Sequence, residues 1–165
     1  MSDPIRDGIY KRTHVYANDI QNEPKHLFKV IAEMVQSRVI NETPKSLDLG
    51  GAAGDLSAYL MSQNDRLTAD SLDFDEELVK VGRSRHPEVN FVHGDSSDLS
   101  MYNDETFDFV TSIGLLGIFD EPKEVLSESI RVLKKNGYLL ICDHINEDSL
   151  DVILRYKYSN SDTWN

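Results

Sequence analysis

The stretch from Ser46 to Leu60 constrains the fold more than any other part of the sequence. It consists of Ser-Leu-Asp-Leu-Gly-Gly-Ala-Ala-Gly-Asp-Leu-Ser-Ala-Tyr-Leu, a short apolar strand followed by small residues and then by a helical pattern. A strand that turns abruptly into a helix needs residues without bulk, because the backbone turns tightly and then packs closely. The same lack of side chains lets a ligand lie against the peptide units, beside the free N–H groups of a helix N-terminus. The stretch therefore predicts a site for a small-molecule cofactor.

The size and charge of the chain narrow its class. With 165 residues it is long enough for one compact domain and too short for two ordinary ones. Cys142 is its single cysteine, so no internal disulfide can form, which favours the cytoplasm. A formal net charge of -12 opposes binding to polyanions, and no apolar run approaches the ~20 residues that cross a bilayer. We therefore expect a cytoplasmic protein with a small-molecule substrate, no nucleic-acid partner and no membrane span.

Strand and helix patterns alternate along the rest of the chain. Apolar residues recur at helical spacing before the turn, and short apolar runs alternate with further helical patterns after it. Strands that alternate with helices form a parallel sheet with right-handed crossovers, which predicts a doubly wound α/β fold. After the strand that ends at Leu49, the predicted strands are 67–73, 89–93, 107–113 and 138–142, the last one preceded by a turn at Asn136-Gly137. The predicted helices are 23–39, 55–63, one capped by Asp75 and closed by Pro87, 122–135 and 146–158.

The ends of the predicted strands indicate where a ligand would bind. In a sheet of this kind the ligand lies beyond the carboxyl ends of the strands, at the point where the strand order reverses. Each predicted strand ends at or next to a residue that is small or polar. We therefore expect one edge of the sheet to be lined by Gly50, Asp73, Asp95, Ser112 and Asp143.

Two classes of ligand use this architecture, and the spacing of the small residues separates them. A dinucleotide site is built on Gly-x-Gly-x-x-Gly, whereas here Gly50, Ala52 and Gly54 are followed by Asp55 at the place of the third glycine. Asp48, inside the strand end, is a poor neighbour for a pyrophosphate. A ligand with a cationic centre tolerates these acids better, so an NAD-dependent oxidoreductase is the less favoured alternative.

Five segments of the chain resemble, in order, the motifs of the class I S-adenosylmethionine-dependent methyltransferases. The resemblance covers residues 45–145. It implies a Rossmann-like doubly wound sheet with strand order 3-2-1-4-5, S-adenosylmethionine as cofactor, and a transferase that moves a methyl group. The cofactor loop of the family is matched by Ser46–Gly54, and its later motifs by Leu72–Asp75, Phe91–Asp95, Phe107–Ser112 and Arg131–Ile141.

The resemblance implies roles for the residues around the turn and the second strand. The backbone around Gly50 and Ala52 is expected to contact the amino-acid end of the cofactor. Asp73, about 20 residues beyond the loop, is expected to accept hydrogen bonds from both ribose hydroxyls. Phe74 is expected to pack on the adenine face. The alternative for Asp73 is a strand-end carboxylate in water.

The third and fourth strands complete the implied site. Asp95 is expected to accept a hydrogen bond from the adenine amino group, with Ser96 donating nearby; the alternative is that Asp95 only stabilises a turn or caps a helix. Ser112 and Ile113 are expected to face the methionine part and the sulfonium. The full predicted cofactor site is Asp48, Gly50, Gly51, Ala52, Gly54, Asp73, Phe74, Asp95, Ser96, Ser112 and Ile113.

The sequence does not identify a catalytic residue. Methyl transfer from a sulfonium is an in-line displacement, so placement of the acceptor and exclusion of water can supply much of the catalysis. His144, just past the fifth strand, is the best-placed base if one is needed, and His14 is a weaker candidate. Both positions also suit structural histidines. We expect His93 and Cys142, which fall inside predicted strands, to lie in the core.

Some acceptor classes are disfavoured. Methylases of amino groups on DNA bases share an Asn/Asp-Pro-Pro-aromatic segment after the fourth strand, which Ser112–Gly117 lacks. No His, Cys or carboxylate cluster has metal-ligand spacing, so we expect no metal and disfavour metal-dependent enzymes of the catechol type. A small metabolite, a sugar or a lipid-linked acceptor is left. The alternative is a non-catalytic S-adenosylmethionine-binding module or a regulatory subunit.

The ends of the chain differ from the middle. Residues 1–22 are polar and are expected to form a loose arm or a flap over the cofactor, while 23–165 form the methyltransferase core. Sheets of the family normally have two more strands after the fifth, so we expect a core that is truncated at its C-terminus. An open, apolar sheet edge is a liability, which either a missing C-terminal segment or a homodimer partner would cover. The third explanation is a minimal methyltransferase that lacks the two strands.

Overall fold

The computed structural model describes residues 23–39 and 41–143. The arm predicted over 1–22 and the helix predicted over 146–158 lie outside these residues, as do His14 and His144. Within the described ranges, no helix is both long enough and apolar enough to cross a membrane.

Helices and strands alternate through the described part of the chain, as the hydrophobic pattern predicts. Most boundaries agree with the predicted ones to within three residues. In chain order the elements are α1 (His26–Gln36), β1 (Lys45–Leu49), α2 (Asp55–Gln63), β2 (Thr68–Asp73), α3 (Glu76–Arg85), β3 (Asn90–His93), β4 (Phe107–Ile113), a 3₁₀ turn (Leu116–Ile118), α4 (Lys123–Val132) and β5 (Leu133–Cys142).

The five strands form one parallel sheet with the order β3-β2-β1-β4-β5. This confirms the predicted Rossmann-like α/β fold and its strand order. Because every strand runs in the same direction, all five carboxyl ends lie along one edge of the sheet. The order reverses at β1, whose neighbours are β2 and β4, so the turn after Leu49 opens at the point where such sheets bind ligands.

The predicted start of the fifth strand is wrong. The sequence suggested a helix to residue 135 and a strand from 138, whereas α4 ends at Val132 and β5 begins at Leu133. Leu133 already pairs with Phe107, and pairing resumes at Tyr138 after a register shift. Asn136, with φ of 66°, supplies the left-handed backbone that the predicted turn required. The turn therefore exists, but as a bulge inside the strand rather than as a connection before it.

Helices cover both faces of the sheet. One face packs against α1 and α2, and the opposite face packs against α4, with fully buried apolar side chains at both contacts. On the first face these side chains include Ile31, Val35, Leu56, Leu60 and Phe109. On the second they include Leu47, Leu49, Val110, Val125 and Val132. The two layers hold the strands rigidly and leave their carboxyl ends to the connecting loops.

The start of α3 has the predicted cap. Oδ1 of Asp75 accepts hydrogen bonds from the backbone N–H groups of Glu77 at 2.9 Å and Leu78 at 3.4 Å. These bonds satisfy two of the donors that a helix N-terminus leaves unpaired. The cap fixes the short loop between β2 and α3, which carries Phe74 of the predicted site and directly follows Asp73.

Candidate cofactor site

The turn between β1 and α2 is built on left-handed backbone and close packing. Gly50, Ala52 and Gly54 have φ values of 67°, 50° and 79°. A Cβ on Gly54 would lie 2.3 Å from the ring of Phe91, so no larger residue fits there without displacing that ring. Ala52 adopts the left-handed conformation despite its side chain, which shows that the middle position tolerates a methyl group.

Gly51 lies directly over the sheet. Its N–H donates to the carbonyl oxygen of Leu72 at 3.1 Å. A Cβ at this position would lie 2.2 Å from Oγ of Ser71 and 2.9 Å from Oδ2 of Asp48. The turn therefore rests on two buried polar side chains, and its outer surface consists of peptide groups.

The carboxylate of Asp73 joins the turn to the end of β2. Its Oδ2 accepts from the N–H of Ala52 at 2.8 Å, and its Oδ1 accepts from the N–H of Asp75 at 2.8 Å. Burial raises the pKa of Asp73, while these two N–H groups and the charge of His93 act in the opposite direction. A carboxylate has about four lone-pair positions, so it can accept further hydrogen bonds from a diol. The carboxylate faces the glycine turn, as the predicted ribose contact requires.

Asp48 lies beneath the turn rather than on its surface. The residue is 5% exposed, and its Oδ1 accepts from Oγ1 of Thr111 at 2.6 Å. Burial raises the pKa of Asp48 to about 7; the hydrogen bond from Thr111 opposes the rise, and the charge of Asp73 adds to it. Contact between Asp48 and a ligand stays a prediction, because the side chain lies inside the sheet layer.

At the end of β3, Asp95 does stabilise a turn. Its Oδ1 accepts from both the N–H and the Oγ of Ser97, at 2.9 Å and 2.7 Å. No hydrogen bond to its Oδ2 is formed within residues 23–39 and 41–143. The neighbouring Ser96 is 5% exposed. The turn role is therefore present, and the adenine contact stays a prediction for the second oxygen.

Phe74 and His93 form an exposed pair at the ends of β2 and β3. Phe74 is 50% exposed, and its ring centroid lies 6.3 Å from that of His93. The prediction that His93 and Cys142 lie in the core is wrong, since both are exposed. Each is the last residue of its strand, and β3 and β5 are the two edge strands of the sheet.

At the end of β4, Ser112 and Ile113 lie on opposite faces of the sheet, because consecutive strand residues alternate. Ser112 is 1% exposed, and its Oγ is buried without a hydrogen-bond partner among the described residues. Ile113 packs against the cluster formed with α1 and α2. A ligand at this edge would therefore meet the two side chains from different sides.

Two contacts at this edge were not predicted. Cδ1 of Leu115 lies 3.0 Å from the position that a Cβ on Gly50 would take, so its side chain covers the start of the turn. Oδ2 of Asp143 accepts from the N–H of Gly117 at 3.1 Å, which joins the loop after β4 to the end of β5. Nothing in the spacing of the sequence signals either contact, since both depend on how the loop after β4 folds back.

The arrangement suits a ligand with hydroxyl donors and positive charge. Two acids, Asp48 and Asp73, lie at the turn, and among the described residues no Lys or Arg shifts the pKa of either one. A pyrophosphate would place its negative charge beside these acids without a compensating cation. The glycine surface, the carboxylate of Asp73 and the unpartnered hydroxyl of Ser112 fit S-adenosylmethionine, which carries a ribose diol, an ammonium group and a sulfonium.

Comparison with known proteins agrees with this geometry. A family model described as a methyltransferase domain matches residues 47–141. The demethylmenaquinone methyltransferase of Clavibacter sepedonicus is 41% identical over 140 residues, which is 82% of this chain and 54% of that protein. A ubiquinone/menaquinone biosynthesis C-methyltransferase of Psychromonas ingrahamii is 32% identical over 114 residues, covering 63% of this chain and 44% of that protein.

Solved structures share the fold. A TehB-like S-adenosylmethionine-dependent methyltransferase from Corynebacterium glutamicum superposes with a TM-score of 0.63 and 24% identity, covering 84% of this chain and 73% of that one. The chain spans about half the length of the curated relatives described above. Since the family match extends over more than half of the chain and coincides with the sheet and the turn, the chain belongs to the class I S-adenosylmethionine-dependent methyltransferase family.

Proposed function

We propose that this protein binds S-adenosylmethionine at the turn after β1 and transfers the cofactor's methyl group to a small-molecule acceptor. The observation that carries the proposal is the hydrogen bond between Asp73 and the N–H of Ala52, at 2.8 Å. It places the acidic end of β2 against the turn inside the segment that matches the family. The cofactor supplies an electrophilic methyl group on a positively charged sulfur.

Each residue of the site contacts a different part of the cofactor or shapes the turn that binds it. The carboxylate of Asp73 accepts from the ribose hydroxyls, and the half-exposed ring of Phe74 packs on the adenine. The peptide groups of Gly50 to Ala52 contact the amino-acid end. Leu115, which lies against Gly50, keeps water from the turn. Asp73, together with the ionised fraction of Asp48, gives the site the negative charge that a sulfonium and an ammonium require.

For the acceptor, we propose the reduced, quinol ring of a demethylmenaquinone-type molecule, whose electron-rich ring carbon can attack the methyl group. Support comes from the relative that is 41% identical to this chain and bears that name. A second relative is described as a C-methyltransferase of quinone biosynthesis. Transfer to a ring carbon forms one C–C bond, breaks the bond from sulfur to the methyl group, and releases the ring proton. That release calls for a base, and His144 stays the predicted candidate.

Removal of the carboxylate at residue 73 tests the cofactor site. We expect Asp73→Ala to weaken binding of S-adenosylhomocysteine by ~1–3 kcal/mol, about 5- to 150-fold, because hydrogen bonds to a charged group are lost. Isothermal titration calorimetry gives the dissociation constant. The matched control is Asp65→Asn, an exposed acid that precedes β2 at the opposite edge of the sheet. Unchanged affinity in Asp73→Ala would remove this carboxylate from the site.

Ligand choice and turnover test the rest of the proposal. Wild-type protein should bind S-adenosylhomocysteine and show no comparable affinity for oxidised nicotinamide dinucleotide. Transfer of a radiolabelled methyl group to demethylmenaquinol, measured after extraction into organic solvent, tests the acceptor. Binding of the dinucleotide alone would contradict the cofactor assignment. Cofactor binding with no transfer to the quinol would contradict the acceptor and leave the cofactor site standing.

A further inference from the structure

His93 occupies a position that the proposed binding roles leave unused. It is the last residue of β3, it is exposed, and its Nε2 lies 3.0 Å from the carbonyl oxygen of Phe74 in the neighbouring loop. A carbonyl oxygen has no hydrogen to give, so Nε2 carries the proton and donates it. The imidazole therefore joins the end of β3 to the backbone of the residue whose ring is expected to meet the adenine.

Further bonds fix the surroundings of Phe74. The N–H of Gly94 donates to the carbonyl oxygen of Asp73 at 3.0 Å, and the N–H of Asp75 donates to the carboxylate of Asp73 at 2.8 Å. The residues on both sides of Phe74 are thus held by hydrogen bonds to the ends of β2 and β3. His93 adds a bond to the carbonyl of Phe74 itself and a tilted ring contact, with an interplanar angle of 56°.

The exposure of Phe74 indicates what this support is for. Half of its surface is open to solvent, although burying an aromatic ring is strongly favourable. The ring does not sink into the core but stands at the edge of the sheet, on the residue that follows Asp73. An aromatic ring held in this way presents a flat apolar surface to a second flat ring.

We propose that His93 is a positioning residue for the cofactor: its hydrogen bond and ring contact hold Phe74 in the orientation in which Phe74 packs against the adenine of bound S-adenosylmethionine. The inference rests on the proposed function, since it assumes that this edge of the sheet binds an adenosyl group. His93 acts through Phe74 and does not need to touch the cofactor.

A set of four variants tests this role by calorimetry with S-adenosylhomocysteine. His93→Ala should weaken binding by about 3- to 10-fold, the usual effect of one lost hydrogen bond. His93→Gln places an amide N–H where Nε2 was and should bind within about twofold of wild type. Phe74→Ala should weaken binding at least as much as His93→Ala. The double variant Phe74→Ala/His93→Ala should bind no more weakly than Phe74→Ala, because His93 then has no ring to position.

The outcomes separate the two proposals. Failure of the wild-type protein to bind S-adenosylhomocysteine overturns both. If wild type binds, then unchanged affinity in His93→Ala, equal weakening in His93→Gln, or additive losses in the double variant overturns the role of His93 alone. 5′-Methylthioadenosine lacks the amino-acid end of the cofactor. The ratio of its dissociation constants for His93→Ala and wild type should equal the ratio found with S-adenosylhomocysteine, and a ratio of one would also overturn the role of His93. Thermal denaturation of each variant confirms that the fold is intact, as expected for an exposed side chain.

Discussion

Two buried carboxylates at opposite edges of the sheet show how differently the same group can be used. Asp48, at the carboxyl end of β1, is 5% exposed, and Asp108, near the amino end of β4, is 8% exposed. Asp108 accepts hydrogen bonds from Nζ of Lys134 at 2.8 Å, from the N–H of Lys45 at 2.9 Å and from the side chain of Asn41. Within the described part of the chain, Asp48 accepts one hydrogen bond from a side chain, that of Thr111, and lies near a second acid, Asp73.

The pKa values follow these environments. For both acids burial is the largest effect and acts to raise the pKa. At Asp108 the bonds from Lys134, Lys45 and Asn41 together outweigh it, so the pKa is lowered. At Asp48 the hydrogen bond from Thr111 does not outweigh burial, and the pKa rises to about 7. The amino edge is therefore stabilised by its acid, whereas the carboxyl edge keeps an uncompensated acid beneath the turn, as binding sites commonly do.

The largest effect should come from neutralising Asp48. A raised pKa means that folding favours the protonated form, so the contribution of Asp48 to stability is present below pH 4 and is lost as pH rises through 7. A shift from 3.8 to about 7 corresponds to about 4 kcal/mol at pH 8. Asp48→Asn should therefore be more stable than wild type at pH 8, and this advantage should shrink towards pH 4. Urea denaturation at pH 4, 6 and 8 measures both trends.

If the difference in unfolding free energy between wild type and Asp48→Asn does not vary with pH, this account of the carboxyl edge is contradicted. The control is Asp65→Asn, whose side chain is exposed and whose stability should follow that of wild type at every pH. The comparison separates the effect on stability of burying one acid from the effect of making the net charge of -12 less negative by one unit.

Removal of the acid at the amino edge should have the opposite sign. Asp108→Ala leaves three donors without their acceptor and should destabilise the fold by about 2–3 kcal/mol, less than for a fully enclosed pair because Lys134 can reach solvent. Because the pKa of Asp108 is lowered by folding, its contribution to the stability of the wild-type protein is present at neutral pH. This contribution is lost at acid pH, as the pH falls through the folded-state pKa, which lies below 3.8. Urea denaturation at pH 7 gives the magnitude. Affinity for S-adenosylhomocysteine should stay within about twofold, and a larger change would mean that the two edges are coupled.

The same contrast explains which features could be predicted from sequence. The turn, the strand order and the cap at Asp75 depend on local patterns: small residues after a strand, alternation of strands and helices, and an acid before a helix. Exposure of His93 and Cys142 could not be predicted, because the apolar pattern that marks a strand does not show which of its residues the neighbouring elements cover. The contact of Leu115 with Gly50 depends on the path of a loop, and the early start of β5 depends on a bulge at Asn136. Sequence thus predicted the turn and the strand ends around it, and missed the side chains that neighbouring loops bring to them.

The smallest effect should come from the contact between the turn and the polar side chains beneath it. Gly51→Ala places a methyl group 2.2 Å from Oγ of Ser71, so the turn must shift, at a cost of about 1–3 kcal/mol typical of overpacking. Ser71 is fully buried, and its Oγ has no hydrogen-bond partner among the described residues, so Ser71→Ala should cost little. The double variant Gly51→Ala/Ser71→Ala should therefore recover part of the stability that Gly51→Ala loses, since only the contact with Oδ2 of Asp48 at 2.9 Å then stays, and a double-mutant cycle from urea denaturation measures the recovery. Purely additive losses would mean that Ser71 does not support the turn. Recovery of stability without recovery of affinity for S-adenosylhomocysteine would show that the peptide groups of the turn have shifted out of the geometry that binds, because the methyl group itself points towards the sheet.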